Sequence, residues 1–254
     1  MSMHDMEVRT NRHDTVLSLR GATKRFGGLV AVNGLDFDVH ENQVLGLIGP
    51  NGSGKSTTLN LISGALPASE GEIVLRDRDI TRLPPQAIAR LGVSRTFQLV
   101  RLLPSMSVLE NVMAGAVFGH RRKWGRSAET QARRMLERVG MGRKLHLGVG
   151  QLTYIDTKRV ELARALAGEP RVLLLDEWLA GLNPTELEEG VALIRSLRDE
   201  GRTIVLVEHV MDAIRSLCDT CVVMAQGTKI AEGTPDAVLS DREVIRAYLG
   251  DDDA

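Results

Sequence analysis

Cysteine is scarce in this chain. The two present, Cys218 and Cys221, have the C-x-x-C spacing of redox pairs, but Cys221 opens the apolar run Cys221-Val222-Val223-Met224 and reads as strand core, so a redox protein is set aside. Long hydrophobic runs are missing too. None approaches the roughly 20 residues that cross a bilayer, and Met1 to Asp14 carries no apolar segment resembling a signal peptide. The expectation is a cytoplasmic chain. Charge of one sign is also lacking: 32 Lys and Arg against 33 Asp and Glu leave a formal net charge of -1. That balance argues against a protein working mainly by neutralising nucleic-acid phosphates. There is no internal repeat, and no low-complexity segment beyond Asp251-Asp252-Asp253. What is present, 43% hydrophobic and 26% charged residues in 254, can fill and solvate one large α/β domain with an inserted lobe.

Along the chain, residues 1–14 read as a loose polar tail, 15–250 as the folded domain and 251–254 as an acidic tail. Short β-like runs at Val16 to Leu19 and Leu35 to Val39 suggest an early antiparallel layer. Gln43 to Ile48 is a nearly continuous apolar strand, followed by a glycine-rich turn and the helix-like Lys55 to Ser63. Between about 99 and 167 the pattern becomes helical, broken by Pro104, Gly119, Gly125 and Gly148, with Ser107 a candidate N-cap. Strand signals return at Val172 to Leu175 and Thr203 to Val207, with the helix-like Thr185 to Glu200 between them. The helical stretch is therefore an insertion in an α/β core.

Two motifs carry chemistry. Gly49-Pro50-Asn51-Gly52-Ser53-Gly54-Lys55-Ser56 fits G-x-x-x-x-G-K-[ST] and lies between a strand and a helix, the context a phosphate loop needs. Glycines let backbone N–H groups curl around phosphate oxygens while the helix N-terminus adds partial positive charge. Lys55 is expected to reach the β- and γ-phosphates, Ser56 to offer its hydroxyl to Mg²⁺, and Thr57 to touch the α-phosphate. The second motif is the apolar strand Val172-Leu173-Leu174-Leu175 ending in Asp176-Glu177. Two acids at a buried strand tip are costly unless a cation or substrate answers them. Asp176 is expected to hold Mg²⁺ through water, and Glu177 to polarise the water that attacks the γ-phosphate.

With these motifs in this order, the chain resembles an ABC transporter nucleotide-binding subunit over roughly Val16 to Gly250. The resemblance implies an ATPase with a three-layer P-loop α/β core, an antiparallel β subdomain and an inserted helical lobe, using ATP and Mg²⁺. It implies that Phe26 stacks on adenine, that Gln98 contacts Mg²⁺ or the attacking water, and that His209 senses the γ-phosphate. Ala180-Gly181-Leu182-Asn183-Pro184 stands where the family has the loop that crosses to a dimer partner. Arg95 to Leu102, that loop and the ending Val244 to Gly250 are most similar to the ATP-binding subunits of branched-chain amino-acid importers, though urea and other amide importers share these fragments. Implied partners are membrane-spanning subunits, a second ATP-binding subunit and, indirectly, an external solute-binding protein, with the chain at the cytoplasmic face of the membrane. A DNA- or ribosome-associated ATPase of the family would need long coiled coils or two cassettes, and neither is present. The basic run His120 to Arg126 reads as a solvated lobe loop.

Two departures stand out. The family's signature, L-S-G-G-Q or L-S-Y-G-Q, becomes Leu152-Thr153-Tyr154-Ile155-Asp156, and Trp178 replaces the proline that follows the catalytic glutamate. With Ile155 for glycine and Asp156 adding negative charge beside the partner's nucleotide, the expectation is a heterodimer with an intact signature on the other subunit. The alternative is a regulatory subunit with weak hydrolysis. Intact Lys55, Asp176, Glu177 and His209 oppose it.

Overall fold

The computed structural model describes residues 15–249, so the expected tails 1–14 and 251–254 lie outside the described residues. The chain opens with strands β1 (Thr15–Phe26) and β2 (Leu29–His40), paired antiparallel. These are longer than the short runs read from sequence, because bulges at Leu19/Ala22 and Lys24/Arg25 break the alternation that marks a strand. Together with β4 (Glu70–Leu75) and β5 (Arg78–Asp79) they form a four-stranded sheet in the order β2-β1-β4-β5.

The second sheet is built around β3 (Val44–Ile48), β6 (Val93–Arg95), β7 (Val172–Asp176), β8 (Thr203–Val207), β9 (Thr220–Ala225) and β10 (Thr228–Gly233), in the order β10-β9-β3-β8-β7-β6. From β9 to β6 the pairing is parallel, and β10 closes the edge antiparallel. Every residue of β3, β7 and β8 is buried. On β7 the side chains alternate: Val172 and Leu174 join the cluster beneath β1 and β2, while Leu173 and Leu175 join the cluster shared with the helices. Cover on both faces is why the sequence shows a continuous apolar run. Cys221 packs in this core, and both cysteines are buried free thiols.

Helices α1 (Lys55–Ile62) and α2 (Pro85–Leu91) lie on the side of the first sheet; α3 (Val108–Phe118), α4 (Gly125–Arg138) and α5 (Tyr154–Ala167) pack on one another, and α6 (Pro184–Asp199) and α7 (Met211–Leu217) cover the same face of the core. Short helices α8 (Pro235–Leu239) and α9 (Arg242–Leu249) finish the chain. Ser107 caps α3 through a capping box with Glu110. Gly125, read as a breaker, instead begins α4 with Trp124 at its N-cap. Among the described residues no helix is long and apolar enough to cross a membrane.

Candidate active site

Four neighbouring parallel strands, β3, β8, β7 and β6, end on one edge of the sheet, and each delivers a chemical segment there. The phosphate-loop segment follows β3, Glu208 and His209 follow β8, Asp176 and Glu177 finish β7, and Thr96 to Gln98 follow β6. Ligands of open α/β sheets bind at this edge because loops and helix N-termini converge there.

The loop from Gly49 to Thr57 depends on backbone shape. A Cβ on Gly49 would lie 2.0 Å from the carbonyl oxygen of Met224, and one on Gly54 would lie 2.5 Å from that of Ala31. Both glycines also have positive φ, 146° and 105°. Lys55 is folded back, its Nζ donating to the carbonyls of Gly49 at 2.7 Å and Pro50 at 2.8 Å. Burial lowers the Lys55 ammonium from its ordinary value, and the charges of Glu177 and Asp176 pull the other way. A cavity of 370 Å³ opens over the loop, walled by Asn51 to Thr57, Glu177, Leu29 to Ala31, Gln226 and Gly227. Phe26 is not among the walls. It stands half exposed at the β1–β2 hairpin, register partner of Leu29, with the Lys24 ammonium 5.1 Å from its ring centre.

Glu177 sits in the left-handed region, φ 48°, a costly conformation for a non-glycine residue that turns its carboxylate back over the sheet edge. Its two oxygens are taken by different segments: Gln98 Nε2 donates to Oε2 at 2.6 Å, and His209 Nε2 lies 2.8 Å from Oε1. Three residues named from sequence thus meet in one cluster. Asp176, beside them, is gripped by Arg95, whose Nη2 donates to Oδ2 at 2.6 Å while Nη1 reaches Asn60 of α1. Both partners are nearly buried.

The residues fit a nucleoside triphosphate with a divalent cation. Ser53 Oγ and Asp176 Oδ1 are buried polar atoms with no partner, one in the phosphate loop and one at the tip of β7. The Ser56 hydroxyl, the Asp176 carboxylate and the Gln98 amide oxygen are the hard donors expected from sequence to hold Mg²⁺, and their chemistry would suit that ion completed by phosphate and water. Among the described residues there is no cluster of three or more His, Cys, Asp and Glu able to hold a metal unaided.

The altered signature is where the sequence reading needs correction. Asp156 does not face outward. It is buried in the first turn of α5, where it accepts from the N–H of its N-cap Thr153 and takes the Lys144 ammonium at 2.6 Å. Burial works to raise this carboxyl, and the hydrogen bonds from Lys144 and Thr153 outweigh it, holding it below the ordinary range. Asp at N3 therefore completes a capping box and complements the helix dipole, so its charge is answered within its own chain. Ile155 is half-buried, while Thr153 and Tyr154 are exposed. Trp178 is buried against Gly190 of α6, its indole N–H donating to the Lys158 carbonyl at 3.1 Å.

Sequence reasoning missed Arg95, Lys158, Glu161 and Glu208 as site-supporting residues. Arg95 and Glu208 lie within Arg95 to Leu102 and Val207 to His209, where a charge in or at the end of an apolar strand is the available signal; Lys158 and Glu161 follow the signature in a charged helix that offers none. Glu208 is 1% exposed and accepts the Leu179 N–H at 2.6 Å; desolvation pushes its carboxyl up to about 7. In the basic run, Arg121 and Lys123 pair with Glu169, and Trp124 is exposed.

Comparison with known proteins gives the family. A family model described as ABC transporter matches residues 32–180, and one described as branched-chain amino acid ATP-binding cassette transporter matches 228–254. The chain is 40% identical, over 93% of its length and 98% of the relative's, to the high-affinity branched-chain amino acid transport ATP-binding protein LivG of Escherichia coli K12. Among solved structures it is similar to the ADP conformation of MJ1267, an ATP-binding cassette of an ABC transporter. There the TM-score is 0.84 at 31% identity, covering 93% of this chain and 99% of that one. It is also similar to a dimeric post-hydrolysis state of the cassette MJ0796 bound to ADP and Pi, with TM-score 0.78 at 25% identity, covering 86% and 98%.

Proposed function

The chain belongs to the ABC transporter family of ATP-hydrolysing subunits, and from that premise we propose that it energises an importer of branched-chain amino acids or related small polar solutes. The observation that carries the catalytic reading is the Glu177 carboxylate, held between Gln98 and His209 beside the Lys55 loop. In this reading Lys55 and the loop N–H groups bind the triphosphate, and Phe26 offers its exposed ring to adenine. Ser56, Gln98 and Asp176 would hold Mg²⁺, which would supply positive charge to the triphosphate. Glu177 takes a proton from the attacking water, and His209 and Gln98 fix its two oxygens so that one lone pair stays aimed at that water.

The membrane partner has a surface to meet. Leu99, 82% exposed, follows Gln98 directly; Leu103 and Met106 are exposed further along, and Phe118 walls a shallow apolar cavity with Phe97. Large exposed apolar side chains along one short segment support an interaction site there. A membrane subunit seated there would press on the segment that carries Gln98, and would hold this chain at the cytoplasmic face. A solute-binding protein outside the membrane would supply the cargo. Two ATP-binding subunits complete the assembly. Neither the comparisons nor the inward position of Asp156 supports preferring a heterodimer, and the weakly hydrolysing regulatory reading loses its electrostatic ground with it.

The test is the assembly purified with its co-expressed membrane subunits and reconstituted in vesicles. Leucine uptake and ATP turnover are expected together, and Glu177→Gln should retain ATP binding while turnover drops by roughly two or more orders of magnitude. Turnover at the parent rate in Glu177→Gln, or ATP hydrolysis without uptake of any branched-chain or amide solute, would overturn the reading.

A further inference from the structure

Helix α5 begins at the signature and ends in the core, and on one of its faces it carries two buried charges of opposite sign three residues apart. Lys158 is 1% exposed and Glu161 is 0% exposed. Each holds a different catalytic loop by its backbone. The Lys158 Nζ donates to the carbonyls of Glu177 at 3.2 Å and Trp178 at 2.9 Å. The Glu161 carboxylate accepts from the N–H of Phe97 at 3.1 Å and of Arg101 at 2.9 Å, so it spans the loop that displays Gln98. The Trp178 indole returns a bond to the Lys158 carbonyl, and Glu208 takes the N–H of Leu179 from the other side. Gln98 and Glu177 then meet at 2.6 Å, each on a loop hung from the same helix.

We propose that Lys158 and Glu161 are positioning residues for hydrolysis, fixing the Gln98 loop and the Glu177 loop to α5 so that amide and carboxylate stay in register. Packing alone does not account for them. Buried apolar residues of the same volume would fill these positions without desolvating two charges, which is often neutral or stabilising. Burial raises the Glu161 carboxyl from its ordinary value, a cost that its two N–H donors and the charges of Arg164 and Lys158 offset only in part. The arrangement also ties the loops to the first turn of the helix. The Lys158 ammonium lies 5.1 Å from the ring centre of Tyr154, and the Tyr154 hydroxyl reaches the carbonyl of Ala180 at 3.5 Å. Resting on the two-subunit reading above, in which that first turn faces the partner's nucleotide, a displacement of the signature reaches Gln98 and Glu177 of the same chain through Lys158 and Glu161. The two nucleotide sites are thereby coupled within each subunit.

The test uses the reconstituted assembly and the purified chain in parallel. In the assembly, Lys158→Met and Glu161→Gln are each expected to lower kcat by about tenfold to a hundredfold while KM for ATP moves by less than about threefold, as for a misplacement of catalytic groups. Lys158→Met added to Glu177→Gln should cost no further turnover, because Lys158 acts through Glu177. In the purified chain, amide hydrogen exchange should quicken over 97–101 in Glu161→Gln and over 177–180 in Lys158→Met, with ATP affinity retained. Parent kcat in both variants, equal loss of kcat and ATP affinity, an additive double variant, or unchanged exchange in both loops would each overturn the proposal. A parent assembly that hydrolyses no ATP would instead count against the transporter reading, and the exchange measurement decides the positioning claim in that case.

Discussion

The phosphate loop and the carboxylate end of β7 sit side by side, yet they are built in opposite ways. The first is one uninterrupted segment, Gly49 to Thr57, shaped by glycines and by its own carbonyls, which even hold Lys55. The second is assembled from separate stretches of chain: Asp176 needs Arg95, and Glu177 needs Gln98, His209 and Lys158. A site made of backbone has its specification written locally. A site made of side chains is specified by whatever the fold carries to it, and its tolerance to change should differ accordingly.

The largest expected effect comes from breaking the local half. In Gly49→Ala the new Cβ would have to displace the Met224 carbonyl, against backbone that does not yield at 2.0 Å, and φ of 146° is strained for alanine. Loss of measurable ATP binding by titration is expected, with β9 disturbed as well. Near-parent affinity would show that the loop is less constrained than its neighbour. Next comes the assembled half. Arg95→Met leaves Asp176 buried and charged with its guanidinium partner gone, a change worth about 3–5 kcal/mol of stability for a broken buried pair. Denaturant unfolding measures it. A loss under about 1 kcal/mol would mean that water answers Asp176 and that this carboxylate does not depend on a distant residue.

The same contrast explains what could be read from the sequence. The phosphate loop, β3, β7 and β8 were legible because glycine spacing and continuous apolar runs are local signals. Gln98, Glu177 and His209 entered partly through resemblance, and their meeting in space was not visible in any local pattern. Lys158 and Glu161 were missed because a helix with charges at such spacing normally reads as a solvated face, whereas here the backbone at 97–101 and 177–178 closes over it. Asp156 was read with the wrong direction for a related reason: its residue type suggested exposed charge, but Thr153 at the N-cap and Lys144 turned it inward. The β1–β2 hairpin was underestimated because bulges hide its period.

A smaller effect is electrostatic. Glu208 faces Lys158 and Glu177, with the Leu179 N–H on its carboxylate, and burial pushes its carboxyl up to about 7 from an ordinary 4.5. Because the folded carboxyl is raised, the folded state holds a proton that the unfolded state has released between these two values. Stability should therefore fall as pH rises from about 4.5 to about 7, by at most about 3 kcal/mol. Glu208→Gln removes this dependence, so thermal unfolding of the variant should vary less than the parent between pH 5.5 and 8. Parallel curves would place Glu208 outside the assembled half.

The smallest expected effect separates Asp156 from the chemistry it was first assigned. If its carboxylate lay beside the partner's nucleotide, removing it would relieve repulsion, and turnover in the assembly would rise. In its observed place it accepts from Thr153, pairs with Lys144 and offsets the positive end of the α5 dipole. Asp156→Ala then removes one half of a capping box and strands the Lys144 ammonium, which is half in solvent and can rehydrate. The expected loss is up to about 1 kcal/mol of stability, the scale of a negative charge in the first turn of a helix. Asp156→Gln should recover part of it, since glutamine is itself a preferred residue at N3 of a capping box. Because α5 also carries Lys158 and Glu161, fraying of its first turn should lower turnover modestly. Faster hydrolysis in Asp156→Ala with unchanged stability would return the carboxylate to the nucleotide interface and restore the case for an unequal pair of subunits.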